Sequence, residues 1–151
     1  MAIIRAATEG DIPRILELYE ELVTSTSQAE TGRTPSLDDY RRIFEQVRAM
    51  PGHELIVVEE NGEVIGTTVL LIVPNLSHSG LPWAVVENVV TDRRFQRQGI
   101  GRLMMEYAIH RAHEAGCYKL QLSSSKTRQE AHRFYESLGF EASAHGFRRY
   151  F

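Results

Sequence analysis

Apolar residues along this chain recur at two spacings, and the changes from one spacing to the other mark its elements. Ile12, Ile15, Leu16 and Tyr19 repeat at three- and four-residue intervals, the period of an amphipathic helix. Thr8 precedes them with Asp11 three residues on, a capping-box spacing, and Pro13 lies in the first turn. This helix fades near Val23. Tyr40, Ile43, Phe44 and Val47 form a second stripe, opened by Ser36 with Asp39 three residues on and closed by Pro51-Gly52. Residues 24–35 between the two stripes are polar, carry Gly32 and Pro35, and read as a loop.

Residues 2–6, 54–60, 63–73 and 83–91 read as strands instead. Asn61-Gly62 joins the second and third of these and favours a two-residue type I′ turn. A loop over 74–82 precedes the fourth. Helical period returns over 100–115, with Gly116 as its stop. A fifth strand is expected over 118–123 and a helix over 128–138, closed by Gly139. Two last strands are expected over 140–144 and 147–151, on either side of Gly146. The order is β-α-α-β-β-β-α-β-α-β-β, a mixed α/β (α+β) sheet. No repeat or linker interrupts it, so residues 1–151 are expected to form a single domain.

Composition narrows the class. The 151 residues are 42% hydrophobic and 25% charged, ordinary for a globular protein. A net charge of -3 argues against a non-specific nucleic-acid binder. A single cysteine, Cys117, rules out an internal disulfide and fits a reducing compartment. No apolar run spans a bilayer, and the short apolar start before Arg5 is too brief for a signal peptide. A cytoplasmic location without membrane partners is expected.

The chemistry concentrates between the fourth strand and the helix that follows it. Gln96-Arg97-Gln98-Gly99-Ile100-Gly101-Arg102 forms a glycine-bearing strand-to-helix turn. Such a turn presents free N–H groups at the positive end of a helix dipole, a site for phosphate oxygens. Arg93, Arg94, Arg97 and Arg102 surround it. Cations oppose the dipole at a helix N-terminus, so their clustering makes sense around a multiply charged anion. The third glycine of the dinucleotide fingerprint is missing.

Glu87 is a carboxylate in an otherwise apolar strand, and alternation places it on one face with Val89 and Thr91. Burial would raise its pKa, and a raised carboxylate can serve as a general base; a structural salt bridge is the competing reading. His110 and His113 stand three apart on a helix without a third metal ligand nearby, so no metal is expected. Cys117 has no obvious activating base, and no Gly-x-Ser-x-Gly elbow occurs.

Strand, Gln-x-x-Gly-x-Gly, helix and strand are followed by Ala131-His132-Arg133-Phe134-Tyr135-Glu136-Ser137-Leu138-Gly139-Phe140. This order resembles the GCN5-related N-acetyltransferase (GNAT) family over essentially the whole chain, and Ile4-Arg5-Ala6-Ala7-Thr8 looks like that family's opening strand. The resemblance implies a twisted sheet whose fourth and fifth strands splay apart around acetyl-CoA. It implies that backbone amides of Arg97, Gln98, Gly99, Ile100, Gly101 and Arg102, with Gln96 beside them, bind the pyrophosphate. The backbone at Val89 and Thr91 would pair with the pantetheine arm. Thr91 replaces the family's usual valine, which keeps β-branching. Arg128 stands where many members carry a cofactor-contacting asparagine; an arginine there could reach a phosphate or an anionic substrate group. Glu87 would deprotonate an incoming amine, and Tyr135 would supply a proton or hydrogen bond to the departing thiolate.

The expected function is N-acetyltransfer from acetyl-CoA directly to a primary amine, with a non-catalytic acyl-CoA-binding or regulatory module as the alternative. The acceptor, a small molecule or peptide, would be contacted by residues 24–35, the second helix, residues 74–82 and the C-terminal strands. Glu30, Arg33 and His78 are polar candidates there. A cover over the site would be short or come from a second copy in a homodimer.

Overall fold

In a computed structural model, which describes residues 1–25 and 31–151, the chain forms a five-stranded sheet in the order β1-β2-β3-β4-β5. Strand β1 (Ile3–Ala6) leads to helix α1 (Ile12–Ser25), then α2 (Leu37–Ala49). Next come β2 (His53–Glu60), β3 (Glu63–Val73) and β4 (Trp83–Thr91). Helix α3 (Ile100–Glu114), the short β5 (Leu120–Gln121) and α4 (Gln129–Ser137) complete the order. Neighbouring strands are antiparallel except β4 and β5, which run parallel.

The local signals act where the pattern places them. Ser36 Oγ accepts the Asp39 N–H at 3.1 Å, and Asp39 returns the bond to the Ser36 N–H at 2.8 Å. Ahead of α1 the Asp11 carboxylate likewise accepts the Thr8 N–H at 2.8 Å, while the Asp11 N–H goes to the Thr8 carbonyl at 3.0 Å around a 3-10 turn at Glu9–Asp11. Asn61 and Gly62 both have positive φ, 52° and 79°, as a type I′ turn demands. Part of the expected loop, residues 26–30 with Glu30, lies outside the described residues.

The sheet lies between two helical layers. Val57, Val64 and Val90 pack against Ile15 and Leu18 of α1. On the other face, Ile56, Leu70, Ala84 and Val86 pack against Met105, Ala108 and Ala112 of α3. Gly66 allows α3 to sit this close: a Cβ there would lie 3.1 Å from the Ile100 side chain and 3.3 Å from that of Met104.

The order matches expectation through α4 and departs from it afterwards. The strands expected over 140–144 and 147–151 do not form; this segment has no regular structure. Residues 141–146 alternate only small and polar side chains, and Phe147 and Phe151 stand in solvent, 94% and 108% exposed. The neighbouring β5 pairs at only two positions, Ala84↔Leu120 and Val85↔Gln121. So short an edge offers little ladder for a further strand, and an unsupported hairpin is marginal in water.

Candidate active site

The brevity of β5 leaves one edge of β4 unpaired. Beyond Val85↔Gln121, β4 runs on for six residues with no partner on its β5 side, while β3 holds its other edge to Thr91. A free strand edge beside a gap can pair with an extended ligand arm through backbone groups.

A bulge shapes that edge. Val69 faces Glu87 and Thr67 faces Val90, so Asn88 and Val89 together oppose the single residue Thr68. Asn88 takes a left-handed φ of 54°, which asparagine tolerates better than most residues. Thr68 Oγ1 donates to the Glu87 carbonyl at 3.1 Å and steadies the kink. Tyr19, from α1, is hydrogen-bonded to the Asn88 side chain.

The bulge corrects the expectation of simple alternation. Residues opposite each other share a face, so Glu87 lies on the face of Val69, Thr67 and Val90, toward α1. Val89 packs on the α3 side, and Thr91, opposite Gly66, is on that side too. Glu87 is therefore separated from Val89 and Thr91. It is also exposed rather than buried. The signal was an asparagine in the middle of a β-branched run.

The turn after β4 is built to present amides. Asp92 caps a 3-10 turn at Arg93–Phe95, with the Arg94 N–H on its carboxylate at 2.8 Å. Gln96 Nε2 donates to the Thr91 carbonyl at 3.3 Å, and Gln98 Nε2 to the Arg94 carbonyl at 3.3 Å. Arg97 then adopts φ 61° and Gly99 φ 84°. A left-handed arginine costs about 1–2 kcal/mol relative to right-handed backbone, the kind of strain found where backbone geometry serves a ligand. Gly99 takes the same region without that cost and faces open space. The Leu103 N–H reaches the Gly99 carbonyl at 2.9 Å. The N–H groups of Ile100, Gly101 and Arg102 precede that bond and are the open donors of the helix N-terminus.

The arginine cluster divides. Arg94 is taken up by Asp92 and Glu63 and does not face an anion site. Arg97 is 3.5 Å from Glu130, with both side chains in solvent. Arg102 donates to Glu106 at 3.3 Å and to the Ser137 hydroxyl at 3.2 Å. The Arg97–Glu130 and Arg102–Ser137 contacts, with Phe134 lying 3.6 Å from where a Gly101 Cβ would stand, fasten α4 beside the turn.

Helix α4 carries Tyr135 to the α3 side. Its ring packs edge-on to Phe134 and Phe140, at 5.2 and 5.9 Å, and joins the same core cluster as Val89. Burial pushes the phenol up, and the charge of Arg128 draws it partly back. The hydroxyl thus stays protonated at neutral pH, and Arg128, at the N-cap of α4, lies within electrostatic reach of it.

Other candidates fall elsewhere. Arg33 is exposed, and His78 stacks on Tyr118 at 3.9 Å between ring centres. Burial raises the Cys117 thiol, which makes it a poorer nucleophile. Among the described residues no three His, Cys, Asp or Glu gather to hold a metal ion, and no helix is long and apolar enough to cross a membrane.

The model of the Acetyltransferase (GNAT) family matches residues 15–140. The chain belongs to that family. Over 139 residues it is 28% identical to a glucosamine 6-phosphate N-acetyltransferase of Trypanosoma brucei brucei, a match that covers 92% of this chain and 88% of that protein. Among solved structures, a putative acetyltransferase from Agrobacterium tumefaciens is 38% identical with a TM-score of 0.85, over 98% and 99% of the two chains. A protein described as a transcriptional regulator from Bacillus halodurans is 34% identical with a TM-score of 0.87, over the full length of both. Membership makes this chain an acetyl-CoA-dependent acetyltransferase on the mixed sheet described above.

Proposed function

We propose that this GNAT acetyltransferase passes the acetyl group of acetyl-CoA directly to a primary amine of a small molecule or peptide. The carrying observation is the free edge of β4 running into a turn whose amides stand open at the start of α3. In this reading the pyrophosphate rests on the N–H groups over 97–102, and Arg97 and Arg128 add positive charge. The pantetheine arm pairs with the β4 backbone around Val89 and Thr91.

The bulge then divides the work between two faces. Tyr135, on the α3 side and held protonated by burial, gives a hydrogen bond or proton to the departing thiolate. Glu87, exposed on the α1 side, takes the proton of the attacking amine, directly or through water. The acceptor enters from that side, near Asn88 and Tyr19. Direct transfer is favoured over an acyl-enzyme because Cys117 is raised rather than activated.

A thiol-release assay with acetyl-CoA across a panel of amines tests this reading. Saturable release with one class of primary amine is the expected result. CoA binding without turnover on any amine would favour the non-catalytic alternative.

A further inference from the structure

Asp92 directly follows β4 and is only 6% exposed. One carboxylate oxygen accepts the Arg94 N–H at 2.8 Å and its Nε at 3.2 Å. The other accepts Arg94 Nη2 at 2.9 Å and a guanidinium nitrogen of Arg14. Arg14 belongs to α1; it also donates from Nε to the Val64 carbonyl at 2.9 Å and lies 3.5 Å from Glu63. Glu63 in turn pairs with Arg94. One carboxylate thereby joins α1, the start of β3 and the connection to α3.

Two consequences bear on the turn. The path of the chain from β4 to α3 is pinned at Asp92 and again at Phe95, whose ring packs on the cluster containing Ile100 and Met104. Amides that grip one anion must converge on it, and small errors of aim are costly. Arg94 is also drawn toward Asp92 and Glu63, which holds its guanidinium away from the start of α3.

We propose that Asp92, held by Arg14, is a positioning residue for the donor's phosphates: it sets the aim of the amides over 97–102 and keeps Arg94 aside. The inference rests on reading that turn as the phosphate grip.

Asp92→Asn tests it. The variant keeps the shape but loses the charge and turns an amide group toward two guanidiniums. Two probes separate aim from general loosening. Acetyl-CoA carries the phosphates, whereas S-acetylpantetheine has the thioester and pantetheine arm without them. Calorimetry reads the first affinity, and titration of backbone amide NMR shifts reads the second. Acetyl-CoA binding should weaken about tenfold, the scale of one lost cap, while S-acetylpantetheine binding stays within about twofold. Equal weakening of both, or no weakening, overturns the proposal. If the unaltered protein binds the two probes equally, the phosphate reading of the turn falls, and the proposal with it. Should Asp92→Asn lack the native far-UV CD spectrum, Arg14→Gln carries the same comparison, with a loss of about threefold expected for acetyl-CoA alone.

Discussion

Glu87 and Tyr135 lie on opposite faces of the sheet, and a two-residue bulge separates Glu87 from the Val89 and Thr91 positions. Residue type and order in the sequence were enough to single out both side chains. The face of Glu87 was not legible, because one left-handed residue, Asn88, shifts every side chain after it by one position. The two proposed roles separate kinetically. Glu87→Gln should lower kcat about a hundredfold with KM for acetyl-CoA unchanged, as loss of a general base requires. Tyr135→Phe should slow single-turnover transfer at least about tenfold while calorimetric affinity for CoA holds. Full transfer rates in both variants would remove these residues from the chemistry.

Elements were legible where a local device fixes them. The Ser36–Asp39 box, the Asn61-Gly62 turn and the glycine at the start of α3 each act within a few residues, and the bounds of β3 and β4 follow from their β-branched runs. The ends of the sheet depend on distant partners instead. The last two strands do not form beside a β5 that pairs at two positions, and no local pattern reports that. The Asp92–Arg14 pair spans 78 positions in the chain and is equally invisible to spacing. The fit of α3 on β3 gives a test at this scale. Gly66→Val should press on Ile100 and Met104, cost about 1–3 kcal/mol of stability in urea unfolding, and weaken acetyl-CoA binding by shifting the start of α3. Undiminished stability would mean that this contact is slack.

Across the whole molecule, carboxylates in ion pairs fasten one element to another. Asp11, hydrogen-bonded by Arg5 of β1, is held below its ordinary value of 3.8, and Asp92 is lowered further by Arg94. Both are depressed in the folded state, so their stabilisation is fully present above the unfolded pKa and fades as pH falls through the folded one. The thermal midpoint should stay level from about pH 7 to 5 and drop below about pH 4, less steeply in Asp11→Asn. An equal slope in that variant would contradict the assignment. At the same scale, the family and donor were written in the Gln-x-x-Gly-x-Gly turn and the Phe134-Tyr135 helix. The acceptor was not, because no motif in the chain carries a chemistry specific to one amine. Everything proposed for transfer depends on the donor's phosphates meeting the turn at Gly99, and calorimetry of acetyl-CoA with Gly99→Asp beside Gly99→Asn tests that most directly. Both side chains tolerate the left-handed backbone there and point into open space, so they differ in charge alone. Gly99→Asp should bind acetyl-CoA at least about tenfold more weakly than Gly99→Asn; equal affinities would mean that the phosphates do not meet this turn.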